Sequence, residues 1–366
     1  MTEEQQFAPD WFSMPGDTLV AAMRRQNVMP DKVAVALEGG MDALRGLVAG
    51  SVSIDMRRAR ALAATLGGTA EFWLQRQANY ERALDRAVRC VLDTEGEEWL
   101  ERVPVPGGKS RGHLSEVRKQ EELRRRLVFF NVNNLRTWMT RYGYLRGETQ
   151  FRTSPTLLSD EGAVSIWLRQ GEIEATMAST KPWNSNVLRE KLDDVRKLSK
   201  VSHPARFLPK LRSICAEAGV ALVIVRPPKG CRASGAVRFL AADKAMILLS
   251  FRFRADDQFW FTVFHELGHL LLHEGKTFVD DEETLQDDRE REANEFASNC
   301  IIPKAREAEF LRLKPNREAI LRFSVSLGIA AGLTVGQMQH REIIGHEKFN
   351  KLKRRWTWDE IEPALS

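Results

Sequence analysis

Apolar residues recur at helical spacing through most of the first hundred positions of the chain. Short amphipathic helices are predicted there, with Pro30 opening the second and a Gly39-Gly40 turn preceding the third. The side chains of Asp17 and Asp55 can cap the first and fourth helices, and a fifth helix begins at Thr69. Several short helices joined by tight turns are what a helix-turn-helix domain requires.

The composition changes after this helical region. Prolines and glycines between Pro104 and Gly112 predict a linker, and a second, mostly helical stretch follows as far as about residue 200. We therefore predict a helix-turn-helix domain with a helical extension at residues 1–103, followed by a linker and a helical middle region at residues 104–200.

From residue 204 the pattern mixes strands with helices. Three apolar runs of strand length occur at Val220–Val225, Gly235–Leu240 and Lys244–Leu249, and the short connection between the last two predicts a β-hairpin. A long apolar helix that Asp256 can cap follows, then an acidic loop and further helices. The predicted fold class is α+β, with a core domain at residues 201–310 and a C-terminal helical segment at residues 311–366.

The composition is that of an ordinary globular protein, with 43% hydrophobic and 29% charged residues. It excludes a disordered chain, a collagen-like fibre and a small disulfide scaffold. The four cysteines lie far apart without a CxxC pair, which argues against a cysteine zinc cage and predicts a reduced, cytoplasmic protein. The N-terminus is polar and no long apolar run occurs, so we expect no signal peptide and no membrane partner.

Charge is distributed unevenly along the chain. The net charge is +5, although acidic residues greatly outnumber basic ones between Asp280 and Glu295. The remainder is therefore more basic than the total indicates. Such a balance fits a weak attraction to nucleic acid without establishing one.

The most specific chemical pattern lies in the long apolar helix, in the segment Phe264-His-Glu-Leu-Gly-His269. His265 and His269 are one turn apart, so both imidazoles project from one face and can chelate one ion. Glu266 is next to the first of them and can reach a metal-bound water as general base. Two histidines and a glutamate on an otherwise apolar helix therefore predict a catalytic Zn²⁺ site.

A catalytic zinc site needs a third protein ligand from outside this helix. Glu290 and Asn294 share a face of the next predicted helix. Glu290 can therefore bind the metal while Asn294 orients a ligating histidine. Glu292 is the rival ligand and projects from a different side of that helix. The spacing favours Glu290.

Other residues have candidate roles near such a site. Either His340 or His346 could donate to the developing oxyanion, with His340 as the candidate. A Cys231 thiolate could fill the open zinc position and keep the enzyme latent, with an ordinary loop cysteine as the alternative. An extended substrate could add to an exposed strand edge at Gly235–Leu240. His273 continues the row of histidines, but three ligands from one straight helix are too spread for one ion, so we interpret it as a histidine near a helix C-terminus.

The sequence HELGHLLLH, followed by EREANEFASNCIIP, closely resembles the ImmA/IrrE family of bacterial zinc metallopeptidases, over approximately Pro204 to Pro303. The resemblance implies a zincin-like domain with a small sheet. It implies three zinc ligands and one catalytic base, which are His265, His269 and Glu290, with Glu266 as the base. It also implies cleavage of a regulatory protein, a helix-turn-helix repressor or an antitoxin, in a stress, prophage or defence circuit.

The segments PGDTLVAAMRRQNVMPDKVAVAL and ARALAATLGGTAEFWLQRQANYERAL resemble XRE-type helix-turn-helix domains, over roughly residues 15–84. This second resemblance implies binding to double-stranded DNA and a homodimer. The candidate DNA contacts are Arg45, Arg57 and Arg58. The stretch that matches the turn and recognition helix, residues 38–47, carries one arginine against two acids, and acids repel phosphates. A domain for packing, dimerisation or holding a protein partner is the alternative.

Three functions compete on this sequence. The first is a zinc endopeptidase that its N-terminal domain directs to DNA or to a partner. The second is a transcriptional regulator whose peptidase half acts as a sensor, and the third is an antitoxin-like binding protein. The intact HExxH pattern with a third ligand favours the first, because a pure binder need not keep the general base.

Overall fold

The computed structural model describes residues 12–106, 115–142, 161–273, 278–280 and 288–365, with the side chains of residues 161 and 278–280 excepted. The chain divides into two compact units, Met1–Gln150 and Phe151–Ser366. Residues 104–200, predicted as one middle region, therefore contribute to both units, and the domain limits given above stay predictions. Most of the predicted linker and of the acidic loop lies outside the described residues.

In its described residues the first unit is helical. Its helices are α1 Pro15–Gln26, α2 Pro30–Ala36, α3 Gly40–Ala49, α4 Met56–Leu66, α5 Ala70–Thr94, α6 Gly96–Arg102, α7 Glu116–Phe130 and α8 Leu135–Tyr142. The first five are the helices that the sequence predicts. The predicted cap of α4 is confirmed, but Asp17 does not cap α1, because the cap position is Met14 and Asp17 lies in the first turn, where its Oδ2 accepts a hydrogen bond from the backbone N–H of Met14 (3.0 Å). Asp55 accepts a hydrogen bond from the backbone N–H of Arg58 (2.8 Å), and Thr69 accepts one from that of Phe72 (3.1 Å).

The turn between α2 and α3 depends on glycine. Gly39 and Gly40 have φ angles of 91° and 58°, a region that side chains with a Cβ rarely adopt. The turn brings the apolar faces of neighbouring helices onto one core. Leu19 of α1, Leu44 of α3 and Leu62 of α4 are fully buried there.

The second unit surrounds a small sheet with helices. Its helices are α9 Glu161–Met177, α10 Ser185–Leu198, α11 Pro204–Glu217, α12 Asp256–Leu272, α13 Asp288–Ile301, α14 Lys304–Leu311, α15 Arg317–Leu327, α16 Ala331–His340 and α17 Trp358–Ile361, with 3₁₀ turns at Asn350–Leu352 and Glu362–Ala364. Its strands are β1 Val220–Ile224, β2 Gly235–Ala241, β3 Lys244–Leu249 and β4 Phe278–Asp280.

The strand order in the sheet is β1-β3-β2-β4. β1 runs parallel to β3, with Val220 opposite Ala245, whereas β2 and β3 form the predicted antiparallel hairpin. β4 was not predicted: it pairs antiparallel with β2 at the edge of the sheet. Both β1 and β3 are buried along their whole length, which explains their continuous apolar sequences.

α12, the helix with the two histidines, lies in the centre of this unit. It contacts β2, β3, α13 and α16. Every residue from Thr262 to Leu271 is buried, and Trp260 and Phe264 are inaccessible to solvent. Asp256 is not the capping residue that the sequence predicts, because the cap position is Ala255 and Asp256 is the first residue of the helix.

A segment far along the chain closes the N-terminal end of α12. Ala255 and Arg355 form an antiparallel bridge, and the carbonyl oxygen of Arg354 accepts a hydrogen bond from the backbone N–H of Asp256 (3.0 Å). The indole N–H of Trp356 donates to the carbonyl oxygen of Ser202 (2.8 Å). The side chain of Asp256 binds this segment, because its Oδ1 accepts a hydrogen bond from the backbone N–H of Arg354 (3.1 Å).

Within the part of the chain that the structure describes, no single helix has both the length and the apolar composition needed to cross a membrane. The pair α15 and α16 passes that test only when taken together, and a bend of 111° separates the two helices.

Candidate metal centre

Two imidazoles from α12 converge on one point. His265 and His269 are separated by one helical turn, and their Nε2 atoms lie 2.9 Å apart. Both residues are buried, with exposed fractions of 2% and 1%. The apolar residues around them on α12 pack into the core, so the helix holds both rings in a fixed direction.

A carboxylate from α13 completes this group. Glu290 Oε2 lies 3.1 Å from Nε2 of His265, and Glu290 Oε1 lies 3.2 Å from Nε2 of His269. One potential ligand atom from each of the three residues lies within 4.8 Å of the others. Two imidazole nitrogens and one carboxylate oxygen form a donor set that suits Zn²⁺ and leaves a position for water or substrate. The structure therefore brings together the three residues predicted as ligands.

The charge states of these residues match those of metal ligands. Burial lowers the pKa of His269 below its ordinary value, so its imidazole is neutral near neutral pH. Burial alone would raise the pKa of Glu290, but hydrogen bonds with His265 and His269 outweigh it and lower that pKa to about 2. Metal binding requires neutral imidazoles and an ionised carboxylate, so the shifts at His269 and Glu290 favour it.

Asn294 contacts the far side of the first imidazole, as the sequence predicts. Its Oδ1 lies 3.0 Å from Nδ1 of His265. Because an amide oxygen only accepts hydrogen bonds, His265 donates from Nδ1 and directs Nε2 toward Glu290. Asn294 and Glu290, one turn apart on α13, therefore meet the same imidazole at its two nitrogens.

The sequence did not predict the contacts of the second imidazole. Nδ1 of His269 lies 3.2 Å from Nδ1 of His273, and Nε2 of His273 lies 2.8 Å from Oε2 of Glu292. Glu292, the rival ligand, therefore contacts His273 and not the group formed by the three ligand candidates. The repeated spacing of four residues from His265 to His273 was the available signal.

The candidate general base, Glu266, is fully buried beside the start of β2. A Cβ atom placed on Gly235 would lie 2.1 Å from Oε1 of Glu266 and 2.7 Å from its Cδ. Only glycine leaves room for the carboxylate at this point of the sheet. Gly235, the first residue of β2, and α12 thus form one wall of the site.

The strand edge predicted to receive a substrate is partly covered. β4 pairs with β2 at Gly235, Ala236 and Val237, next to Glu266. The expectation of an exposed edge along all of Gly235–Leu240 is therefore wrong for these three positions. The physical reason is that the chain returns to the sheet after α12 and supplies its own strand there.

The two remaining candidates of the second unit are not members of the group of three ligand candidates. His340 is exposed at the end of α16, and its ring centroid lies 6.3 Å from that of Phe261, which in turn lies 6.3 Å from the ring of His265. Cys231 is buried in the loop before β2 and is not a member of the ligand group.

In the first unit, each arginine predicted to contact DNA forms an ion pair with an acid of that unit. These pairs are Arg45 with Asp42, Arg57 with Glu38 and Arg58 with Asp55. The Arg57 pair is the most exposed, with 74% of the arginine side chain accessible. Exposed pairs of this kind contribute at most about 1 kcal/mol each.

Comparison with known proteins bears on the second unit alone. A search of curated proteins found no match. Residues 220–332 match the model of the peptidase family Peptidase_M78, described as the IrrE N-terminal-like domain. The match runs from β1 to the start of α16 and includes His265, Glu266, His269 and Glu290. This part of the chain is therefore similar to the IrrE N-terminal-like domain, which supports a peptidase of the ImmA/IrrE type.

Proposed function

We propose that the second unit is a zinc-dependent endopeptidase. The observation that carries this proposal is the convergence of Nε2 of His265, Nε2 of His269 and the carboxylate of Glu290 in a buried position. The family match supports the peptidase class, and the donor set supports Zn²⁺ as the metal.

Zinc at this position would polarise the scissile carbonyl and lower the pKa of an attacking water. Glu266 accepts the proton from that water and delivers it to the leaving amine. Its burial next to Gly235 fixes the carboxylate at one place on the wall of the site. His265 and His269 stay neutral while they hold the ion, since the neighbouring groups that accept from their Nδ1 atoms keep the proton there.

Two further residues are proposed to act at this site. His340 is a candidate donor to the developing oxyanion, because Phe261 links its ring to that of His265. Cys231 is a candidate latency switch, because it lies in the loop that leads into β2 and Gly235. Replacing either by alanine tests these roles: loss of His340 should lower kcat, and loss of Cys231 should raise basal activity.

We propose a regulatory protein of the repressor or antitoxin type as the substrate, cleaved in the cytoplasm. The first unit supports a role in recruitment, because α2, the Gly39-Gly40 turn and α3 follow the order of a helix-turn-helix. It would bind double-stranded DNA or the partner protein, as a homodimer. A regulator whose peptidase half mainly senses a signal is the second candidate.

The variant Glu266→Gln separates these candidates. If the protein is an endopeptidase, Glu266→Gln should still bind zinc but should no longer cleave its substrate. The assay incubates the zinc-loaded protein with the products of neighbouring genes, and mass spectrometry detects which of them is cut. Glu295→Gln on α13 is the matched control, because Glu295 pairs with Lys304 on the surface, and its loss should leave cleavage unchanged. If Glu266→Gln cleaves as fast as the wild type, the assignment of the base is wrong. If it regulates transcription normally without cleavage, the sensor function is favoured.

Arginine variants test the DNA-binding role of the first unit. A real phosphate contact gives weaker binding to duplex DNA and a smaller dependence on salt when Arg45, Arg57 or Arg58 becomes alanine. Equal affinity and equal salt dependence in all three variants would leave the protein-partner role.

A further inference from the structure

We propose that His273 and Glu292 are positioning residues for the metal site, which hold His269 in the single tautomer that can bind zinc through Nε2. The inference rests on the proposed function and extends it to two residues that bind no metal themselves. It comes from the contacts on the far side of His269, which the sequence did not predict for either residue.

The first step concerns the direction of His269. Its Nε2 faces Glu290 Oε1 at 3.2 Å and Nε2 of His265 at 2.9 Å, so this nitrogen is the one directed at the ion. A nitrogen that binds a metal uses its lone pair and carries no proton. The proton of the neutral imidazole must therefore be on Nδ1 of His269.

The second step concerns His273. Nδ1 of His269 lies 3.2 Å from Nδ1 of His273, and two N–H groups cannot face each other. His269 therefore donates from Nδ1, and Nδ1 of His273 accepts. With Nδ1 as acceptor, His273 can carry a proton only on Nε2, which lies 2.8 Å from Oε2 of Glu292. A carboxylate accepts that proton, so the chain of hydrogen bonds has only one consistent direction.

The backbone holds this arrangement in place. His273 is the residue that caps the C-terminal end of α12, and its N–H donates to the carbonyl oxygen of His269 (3.0 Å). Its side chain is 7% exposed, whereas that of Glu292 is 57% exposed. Since solvent screens an exposed carboxylate, His273 should contribute more to the orientation of His269 than Glu292 does.

The two ligating histidines are thus supported differently. His265 donates to the neutral amide of Asn294. His269 donates to the imidazole of His273, which in turn donates to the carboxylate of Glu292. A carboxylate at the end of such a chain makes the ligating imidazole more basic. Loss of His273 removes both the orientation and this polarisation.

The experiment compares four single variants and one double variant of the whole chain, loaded with Zn²⁺ or Co²⁺. The affinity for Zn²⁺ is measured by competition with a chelator, and the Co²⁺ absorption spectrum reports the geometry of the site. We expect His273→Ala to weaken zinc binding by about 10–100-fold and to change the Co²⁺ spectrum. Glu292→Gln should have a smaller effect in the same direction. Glu295→Gln, an exposed carboxylate on the same helix, should have none.

The fourth variant, His273→Asn, tests rescue. Its side-chain oxygen takes the position of Nδ1 and can accept from His269, but it cannot reach Glu292. We expect most of the zinc affinity and the Co²⁺ spectrum to return. In the His273→Asn background, Glu292→Gln should have no further effect, because the chain to the carboxylate is already broken. This pair of measurements decides the question even where His273→Ala fails to fold.

The inference is overturned if His273→Ala binds zinc as tightly as the wild type with the same Co²⁺ spectrum. It is also overturned if Glu292→Gln has the same effect with and without His273. In both cases a wild type that binds zinc and cleaves its substrate leaves the proposed function intact. A wild type that binds no zinc overturns the proposed function itself, and the inference with it.

Discussion

Gly235 and Glu266 lie so close that the carboxylate occupies the space where any other residue would place its Cβ. The distance from that Cβ position to Oε1 of Glu266 is 2.1 Å, far inside van der Waals contact. The neighbouring atoms cannot yield easily, because Gly235 belongs to β2 and Glu266 to the buried helix α12. The position of the proposed general base therefore depends on a residue that has no side chain.

We expect Gly235→Ala to lower kcat by about 100-fold or more, because a displacement of about 1 Å of a catalytic group has such an effect. Zinc affinity should change little, since none of the three ligand residues is displaced directly. Steady-state kinetics and chelator competition measure the two quantities.

Gly171→Ala is the matched control for this substitution. Its Cβ would meet the side-chain end of buried Leu248 at 2.5 Å, which is a comparable clash in the same unit, and no residue of the metal group is involved. It should lower the free energy of unfolding. The kcat per zinc-bound molecule should stay unchanged. Equal losses of kcat in both variants would mean that the Gly235 contact has no catalytic meaning.

The choice between the two candidate carboxylates can be tested by thermal unfolding. Zinc in 100-fold excess over its dissociation constant should stabilise the wild type by about 2.7 kcal/mol. Glu290→Gln should lose most of this zinc-dependent increase in Tm, because Glu290 contacts both imidazoles. Glu292→Gln should keep most of it. The reverse result would make Glu292 the ligand.

The buried ion pair at the N-terminal end of α12 should contribute strongly to stability. Lys353 Nζ lies 2.6 Å from Oδ2 of Asp257, and both side chains are at most 10% exposed. Lys353→Met leaves the carboxylate buried without its cation, so the free energy of unfolding should fall by about 3 kcal/mol.

Urea denaturation measures this change, and Asp257→Asn in the Lys353→Met background is the control. The second substitution removes the unpaired charge and should restore part of the lost stability. A double variant less stable than Lys353→Met alone would contradict the explanation.

Asp256 should make stability depend on pH. Burial, with a contribution from neighbouring Asp257, raises the pKa of Asp256 from 3.8 to about 7. Between these two values the unfolded chain has lost the proton while the folded protein keeps it, so stability falls as pH rises through this window and levels off above it. At most about 4 kcal/mol is lost in this way.

Asp256→Asn cannot ionise and should lack this decrease. From pH 4 to pH 7 the free energy of unfolding of the variant should therefore increase relative to that of the wild type. Denaturation curves at several pH values measure it. A constant difference across the window would contradict the assignment.

The grouping of the candidate ligands could be predicted because it follows helical periodicity. His265 and His269 are one turn apart, and so are Glu290 and Asn294 on the next helix. The two members of each pair share a face of their helix. The packing of α12 against α13 is therefore enough to bring the three ligand candidates together. The hairpin of β2 and β3 was equally local, because a short connection joins two apolar runs.

Contacts that depend on the return of distant segments could not be predicted. β4 has three residues, and only its pairing with β2 identifies it as a strand. Glu292 leaves α13 on a different side from Glu290, and only the end of α12 brings His273 within its reach. The bridge of Arg355 to Ala255 joins positions a hundred residues apart, for which the local pattern carries no signal.

That bridge has a consequence for biosynthesis. The ribosome makes α12 well before residues 354–356, which pair with Arg254, Ala255 and Asp256 and so complete the packing around the start of the helix. A nascent chain that has emerged only as far as α13 already contains both imidazoles and the third ligand candidate, but not the segment that packs against the N-terminal end of their helix. Completion of the proposed peptidase centre is thereby tied to the late stages of translation.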